Sequence, residues 1–266
     1  MRSHGNMDIT RALAAAIFVT VATCASTAAG ASLTVDETYA GIQGQPVVGA
    51  EGDHAPGFAT GSWQAGGNGW TQIYLDPMDL FGRAVTVGEL QSISYWTRKD
   101  NAGTEVDWYL HIYTDPYAGS PGSAWYGNRI NTEPYFAQNL DAPADQWNEW
   151  VTDADEDNRL RFYDSSTGYF GSYTDGFLQD LVNDPAYADQ SILTFALAIG
   201  SGWADGFTGQ VDGLTITLAD STTATVNMEV IPLPPAALAG LALLGAVGLG
   251  RVLRRHRSTV RADANG

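Results

Sequence analysis

Val106-Asp-Trp-Tyr-Leu-His-Ile-Tyr113 is the stretch that decides the fold. Its residues alternate in part between aliphatic and polar or aromatic types, and its aromatic load is heavy. That combination fits a strand buried on one face, with a working or stacked opposite face. Outward from it, short Val/Ile/Tyr/Trp/Phe runs alternate with clusters of Gly, Asp, Asn and Pro, as in an all-β sandwich. The pattern predicts strands at 33–35, 71–75, 84–87, 91–98, 106–113, 146–151, 160–163, 192–199 and 214–218. Residues 44–69, rich in Gly and holding Pro46 and Pro56, read as loops around short strands. One helix is expected at 175–182, capped by Asp175, with Phe177, Leu178 and Leu181 on its apolar face. Asn183-Asp184-Pro185 closes it. No internal repeat and no linker divides this body, so a single domain is expected over 32–230.

The two ends of the 266-residue chain read differently. Arg2 and Arg11 precede an apolar run at 12–22, and small residues follow up to Ala31. This is the pattern of a secretory signal peptide over 1–31, with A-x-A cleavage positions near Ala29 or Ala31. Cys24 is the single cysteine and falls within it, so the exported body contains no disulfide. Between 32 and 230 stand 28 Asp and Glu against six Lys and Arg, a net charge of −22. Such a surface repels phosphate backbones and excludes nucleic acid as a partner. It favours solubility and attracts divalent cations.

At the other end, Ile231-Pro-Leu-Pro-Pro235 leads into an uncharged Ala/Leu/Gly segment, and Arg251, Arg254, Arg255 and Arg257 end it. A helix over 236–253 would rise about 27 Å, close to the ~30 Å of a hydrocarbon core. The prolines fix an extended approach to it. The arginines place the C-terminus in the cytoplasm and the body outside. Residues 258–266 form a tail beyond this basic stop.

The succession Ile231, Pro232, Leu233, Pro234, Pro235, apolar segment, Arg254, Arg255, Arg257 resembles the PEP-CTERM class of sorting signals, in a V-P-L-P-A-like variant over 231–257. In this chain Ile231 stands for the usual Val and Leu233 for the Glu. The resemblance implies export through the Sec translocon. It also implies processing by an exosortase, a membrane protease of Gram-negative bacteria that often make exopolysaccharide. The runs Ile93–Lys99 (numbers 93–99), 107–114, 123–135 and 142–150 are similar to a group of exported bacterial proteins that carry the same signal. Gly206-Phe-Thr-Gly-Gln-Val-Asp-Gly-Leu-Thr-Ile216 looks like the closing strand of carbohydrate-binding jelly-roll modules. That likeness implies a jelly-roll-like sandwich, with Asp212 near a structural calcium.

Three further patterns bear on chemistry. Asp153, Asp155, Asp157 and Asp164 take positions one, three, five and twelve of an EF-hand-like spacing, and make calcium the cofactor to consider. An acidic turn explains the same residues without a metal. Glu105-Val-Asp107 resembles the start of the acidic run of laminarinase-type glycoside hydrolases, but Tyr109 and Leu110 stand where the third acid belongs. With only His54 and His111 in the body and no G-x-S-x-G, a serine triad finds no support. Of eight tryptophans, all in the body, Trp125 with Tyr126 and Trp203 sit in Gly/Ser-rich sequence and are the expected sugar-stacking platforms. The first reading is therefore a non-catalytic surface or matrix protein that engages exopolysaccharide. An exported glycan hydrolase and a purely structural or adhesive domain are the alternatives.

Overall fold

The computed structural model describes residues 30–65, 69–99, 107–115, 128–137, 143–153, 158–164, 176–200, 207 and 209–231. The expected signal peptide and the expected span at 236–253 lie outside them. Among the described residues no helix is long and apolar enough to cross a membrane.

Two sheets pack over one apolar core, making the body an all-β sandwich. The first sheet is built around β12 (Gln210–Leu218). One edge of β12 pairs with β6 (Leu90–Arg98), which in turn pairs with β9 (Trp147–Val151). Its other edge changes partner along its length. Gln210 and Val211 pair with β4 (Gly61–Ala65), and Leu214 to Thr217 pair with β13 (Thr223–Met228). β3 (Val47–Glu51) extends β4, and β1 (Ala31–Val35) runs parallel to β13. The second sheet is antiparallel in the order β10 (Phe162–Asp164), β8 (Arg129–Thr132), β7 (Tyr109–Thr114), β11 (Ile192–Ile199), β5 (Thr71–Leu75) and β2 (Ile42–Gly44).

Side-chain alternation assigns the faces. Ile73 and Leu75 on β5, Leu110 and Ile112 on β7, and Phe195, Leu197 and Ile199 on β11 point into the core. There they meet Ile93 and Tyr95 of β6 and Leu214, Ile216 and Leu218 of β12. Three tryptophans are buried with their indole N–H satisfied, as buried Trp requires. Trp63 donates to the Glu229 carbonyl at 2.8 Å, Trp108 to the Gly209 carbonyl at 2.8 Å and Trp150 to Thr97 Oγ1 at 2.7 Å.

Several expected elements change. Residues 84–87 form no strand: Thr86 makes one bridge to Ser191 and a 3-10 turn follows at Val87–Glu89. The turn wins because Glu89 reaches back to accept the Thr86 N–H at 2.7 Å, a local bond that a strand could not keep. The helix expected at 175–182 is α2, Leu178–Asn183, and its cap is Phe177 rather than Asp175, which lies outside the described residues. The Phe177 ring leaves the apolar face and receives the guanidinium groups of Arg159 and Arg161 at 3.6 and 4.3 Å. The short helix α1, Pro77–Phe81, shows no period in the sequence. It rests on Asp76, which accepts the Met78 N–H at 2.8 Å, on Pro77 at the first position and on Gly82 in the left-handed region. Strand β13 also escaped the expectation, although Thr223-Ala-Thr-Val-Asn-Met228 alternates and buries Ala224, Val226 and Met228.

The partner change on β12 needs a local device. Gly213 adopts φ 64°, and the register with β6 shifts between Asp212 and Thr215. The side chain of Asp212, fully buried, supplies acceptors that the interrupted ladder does not. Oδ2 accepts from Ala55 N at 3.0 Å, and Oδ1 from Gly213 N at 2.8 Å and Met228 N at 3.2 Å. Burial pushes its carboxyl up to about 6, against the downward pull of those three donors. Replacing Asp212 by Ala strands three backbone donors at once. We expect Asp212→Ala to cost about 3 kcal/mol or more in urea unfolding at neutral pH. A loss well below 1 kcal/mol would show that β12 holds its partners without this carboxylate.

Candidate functional site

The outward side of the second sheet collects the chemistry. On β7 the residues that do not enter the core are Tyr109, His111 and Tyr113. Register carries their neighbours across the sheet. His111 lies between Asn131 of β8 and Ala196 of β11, and Ala196 is followed by Tyr74 of β5. Tyr109 pairs with Ala198, beyond which comes Gln72. Tyr113 lies between Arg129 and Thr194. The two alanines matter because a larger residue would occupy the space these rings use. Tyr109 and Tyr113 meet His111 edge-on at ring separations of 4.7 and 5.5 Å, and Tyr74 lies 6.0 Å from Tyr113.

Hydrogen bonds tie these side chains together. Gln72 donates to Tyr113 Oη at 3.3 Å and accepts from the Tyr74 hydroxyl. Tyr163 donates to Glu133 at the β8 end. Burial pushes the Tyr74 phenol up to about 12 and raises that of Tyr109. Burial likewise raises the Glu133 carboxyl, while Tyr163 and Arg129 pull it down. His111, only 5% exposed, is held to about 3 by burial and by the Arg129 charge, with the Asn131 side chain opposing. Its Nδ1 has no hydrogen-bond partner. At neutral pH the Tyr74 and Tyr109 phenols and the buried His111 imidazole are therefore neutral, and they are poorly suited to transferring protons. An imidazole that takes a proton only near pH 3 is a weak base for catalysis.

The middle of this face is closed and its β5–β2 margin is open. There a cleft of about 400 Å3 is lined by Tyr39, Gln43, Tyr74, Asp76, Asp79 and Thr194. Tyr39 is half-buried, and burial together with Asp79 and Asp76 raises its phenol.

The residues singled out in the sequence fare unevenly. Trp125, Tyr126 and Trp203 lie outside the described residues, as do Asp155 and Asp157 and the sorting residues beyond Ile231. Ile231 is exposed, and its N–H donates to Glu37 at 2.8 Å. Asp153 and Asp164 are not brought into one loop environment. Asp153 is exposed, whereas Asp164 is buried on β10 and accepts the Tyr187 hydroxyl at 2.9 Å. Asp212 has both oxygens engaged by backbone N–H groups, an arrangement that stabilises strands and suits a calcium ligand poorly. Among the described residues no three His, Cys, Asp or Glu side chains stand together as a metal site. Asp107 is buried, with Oδ2 accepting from Thr97 at 2.9 Å and Oδ1 from the Trp108 N–H at 2.8 Å. It therefore braces the start of β7 and faces no open cleft.

The sequence marked 106–113 as a strand with a working or stacked face but placed its ligand candidates in loops. The signal was present in the alternation of Tyr109, His111 and Tyr113, but their neighbours come from β5, β8 and β11, which only pairing reveals. The chain matches no protein-family profile, no curated protein and no solved structure.

The depressed His111 basicity has a consequence for stability. The folded chain binds this proton only near pH 3, whereas the unfolded chain binds it below about 6.5. Stability therefore falls as pH drops from about 6.5 towards 3, by an amount on the order of 3 kcal/mol through this group. His111→Gln should lose less stability than the parent between pH 7 and pH 4 in urea titrations. Equal losses would mean that His111 titrates normally in the fold.

Proposed function

We propose that this chain is an exported, non-catalytic cell-surface or matrix protein whose body engages polysaccharide. The observation that carries the reading is the outward face of the second sheet. It stacks Tyr74, Tyr109, Tyr113 and His111 beside the Gln72 and Asn131 amides; His111, Tyr113 and Asn131 are buried, and the face opens at its β5–β2 margin into a cleft walled by Tyr39 and Tyr74 with Gln43, Asp76 and Asp79. Rings and amides side by side suit a polyhydroxylated ligand with apolar ring faces, while the acidic body disfavours nucleic acid. We read the sandwich as jelly-roll-like. The N-terminal segment directs export through the Sec translocon. The cassette from Ile231 to Arg257 holds the body at the membrane until an exosortase cuts near Pro232-Leu-Pro-Pro235.

A hydrolase is the weaker reading, since Asp107 braces a strand instead of facing a cleft. Calcium enters only through Asp153 and its neighbours. A melting temperature equal in chelator and in millimolar calcium removes it.

Two measurements test the reading. In affinity electrophoresis through gels containing neutral polysaccharides the full chain should be retarded, and it should release no reducing ends from the same polymers. Unretarded migration in every gel would leave an adhesive or structural domain, and sugar release would restore the enzyme. For processing, mass spectrometry of the cell-surface fraction should find no peptide from residues 258–261. Recovery of that tail at the surface would defeat exosortase sorting.

A further inference from the structure

The tryptophans of the described residues divide by exposure, and one stands apart. Trp63, Trp108 and Trp150 are buried, Trp96 and Trp147 are half-buried, and Trp70 is 43% exposed. Exposure of a flat ring of this size raises the question of a function for it.

Its position supplies one. Trp70 precedes β5 and has the same parity as Gln72 and Tyr74, whereas Thr71, Ile73 and Leu75 enter the core. The ladder with β2 continues to it, since the Trp70 carbonyl accepts the Gln45 N–H at 2.9 Å. The indole lies against Gly44, which holds φ 84°. A Cβ there would stand 2.7 and 2.9 Å from two ring carbons. Glycine at 44 is thus required twice, by its backbone conformation and by the ring it receives. One side of the indole is set against the β2 backbone, and the ring still presents its exposed area to solvent. Along the same margin follow the exposed Gln43, the Gln72 amide and then the cleft at Tyr74, with Tyr39, Asp76, Asp79 and Thr194. From Trp70 to Tyr74 the strand advances about 13 Å at ~3.3 Å per residue, long enough for more than one sugar ring.

We propose that this margin binds a neutral glycan chain lengthwise along β5, one pyranose ring stacking on Trp70 and the chain continuing into the Tyr74 cleft. The inference rests on the polysaccharide reading above and adds the subsite and the class of polymer. Stacking needs a flat ring held in place, which Gly44 provides. Carboxylates and amides at the far end accept and donate to hydroxyls, and Tyr39 and Tyr74 wall the cleft. The neutral class follows from charge: Asp76 and Asp79 border the cleft and the body carries −22, so a uronate chain is repelled from this site.

The test uses the full chain and its variants Trp70→Ala and Trp70→Phe, with thermal unfolding to show that both remain folded. Binding is measured by calorimetry against cellohexaose, laminarihexaose, a mannohexaose and a hexamer of guluronate. The parent should bind at least one neutral hexamer and not the uronate. Trp70→Ala should weaken that binding about tenfold or more, and Trp70→Phe, which keeps a flat ring, should recover part of it. The neutral ligand should also shift tryptophan emission in the parent and not in Trp70→Phe. If the parent binds and Trp70→Ala binds equally, the stacking subsite is overturned while the polysaccharide reading stands. Preference for the uronate overturns the neutral class. Failure of the parent to bind any neutral hexamer overturns both.

Discussion

The Asp212 carboxylate is the contact on which the rest of the sandwich depends. It sits where β12 gives up β4 and takes β13, a point at which a sheet edge would otherwise leave backbone N–H groups without acceptors. Three of them, from Ala55, Gly213 and Met228, converge on it. Burying a charge is costly, and the upward push on its carboxyl records that cost. The three donors offset it and in return fix the crossover of three chain segments. Gly213 completes the device. Its left-handed conformation makes the bend, and the Phe58 ring packs where a side chain would stand.

From that crossover the two sheets take different characters. The first is braced by tryptophans whose N–H groups reach distant backbone: Trp63 to Glu229, Trp108 to Gly209. Removing such a ring would cost both packing and an orphaned acceptor. The second sheet uses the same period of two for another end. Phe195, Leu197 and Ile199 of β11 fill the core, while the intervening Ala196 and Ala198 leave room for Tyr74, Tyr109 and His111 beside them. Core and candidate face are therefore one pattern read on its two sides.

Periodicity made much of this legible. The strands at 71–75 and 192–199 were expected with the bounds they have, and those at 91–98 and 106–113 within a few residues. The stacked side expected of 106–113 is seen in the ring contacts of Tyr109, His111 and Tyr113. Elsewhere, local chemistry misled. Ala84 to Val87 has strand composition, yet the Glu89 side chain closes a turn there. The acidic run from Asp153 to Asp164 suggested one loop, but Asp164 belongs to a strand and bonds Tyr187. Trp125 and Trp203, marked as platforms by loop composition, lie outside the described residues, while Trp70, exposed among those described, sits at a strand end where composition carries no sign of exposure.

By itself the sequence determined the all-β class, the positions of most long strands, the acidity of the body and the location of its cysteine outside it. These are local or additive properties, set by side-chain alternation and by composition over a few residues. Only the tertiary structure decided which strands become neighbours, and with them the site. Ala55 and Asp212 are 157 positions apart, Trp63 and Glu229 are 166, and Gln72 and Tyr113 are 41. No short window contains such pairs. Their meeting depends on burying two apolar sheet faces against each other, a global constraint that also leaves Trp70 facing water.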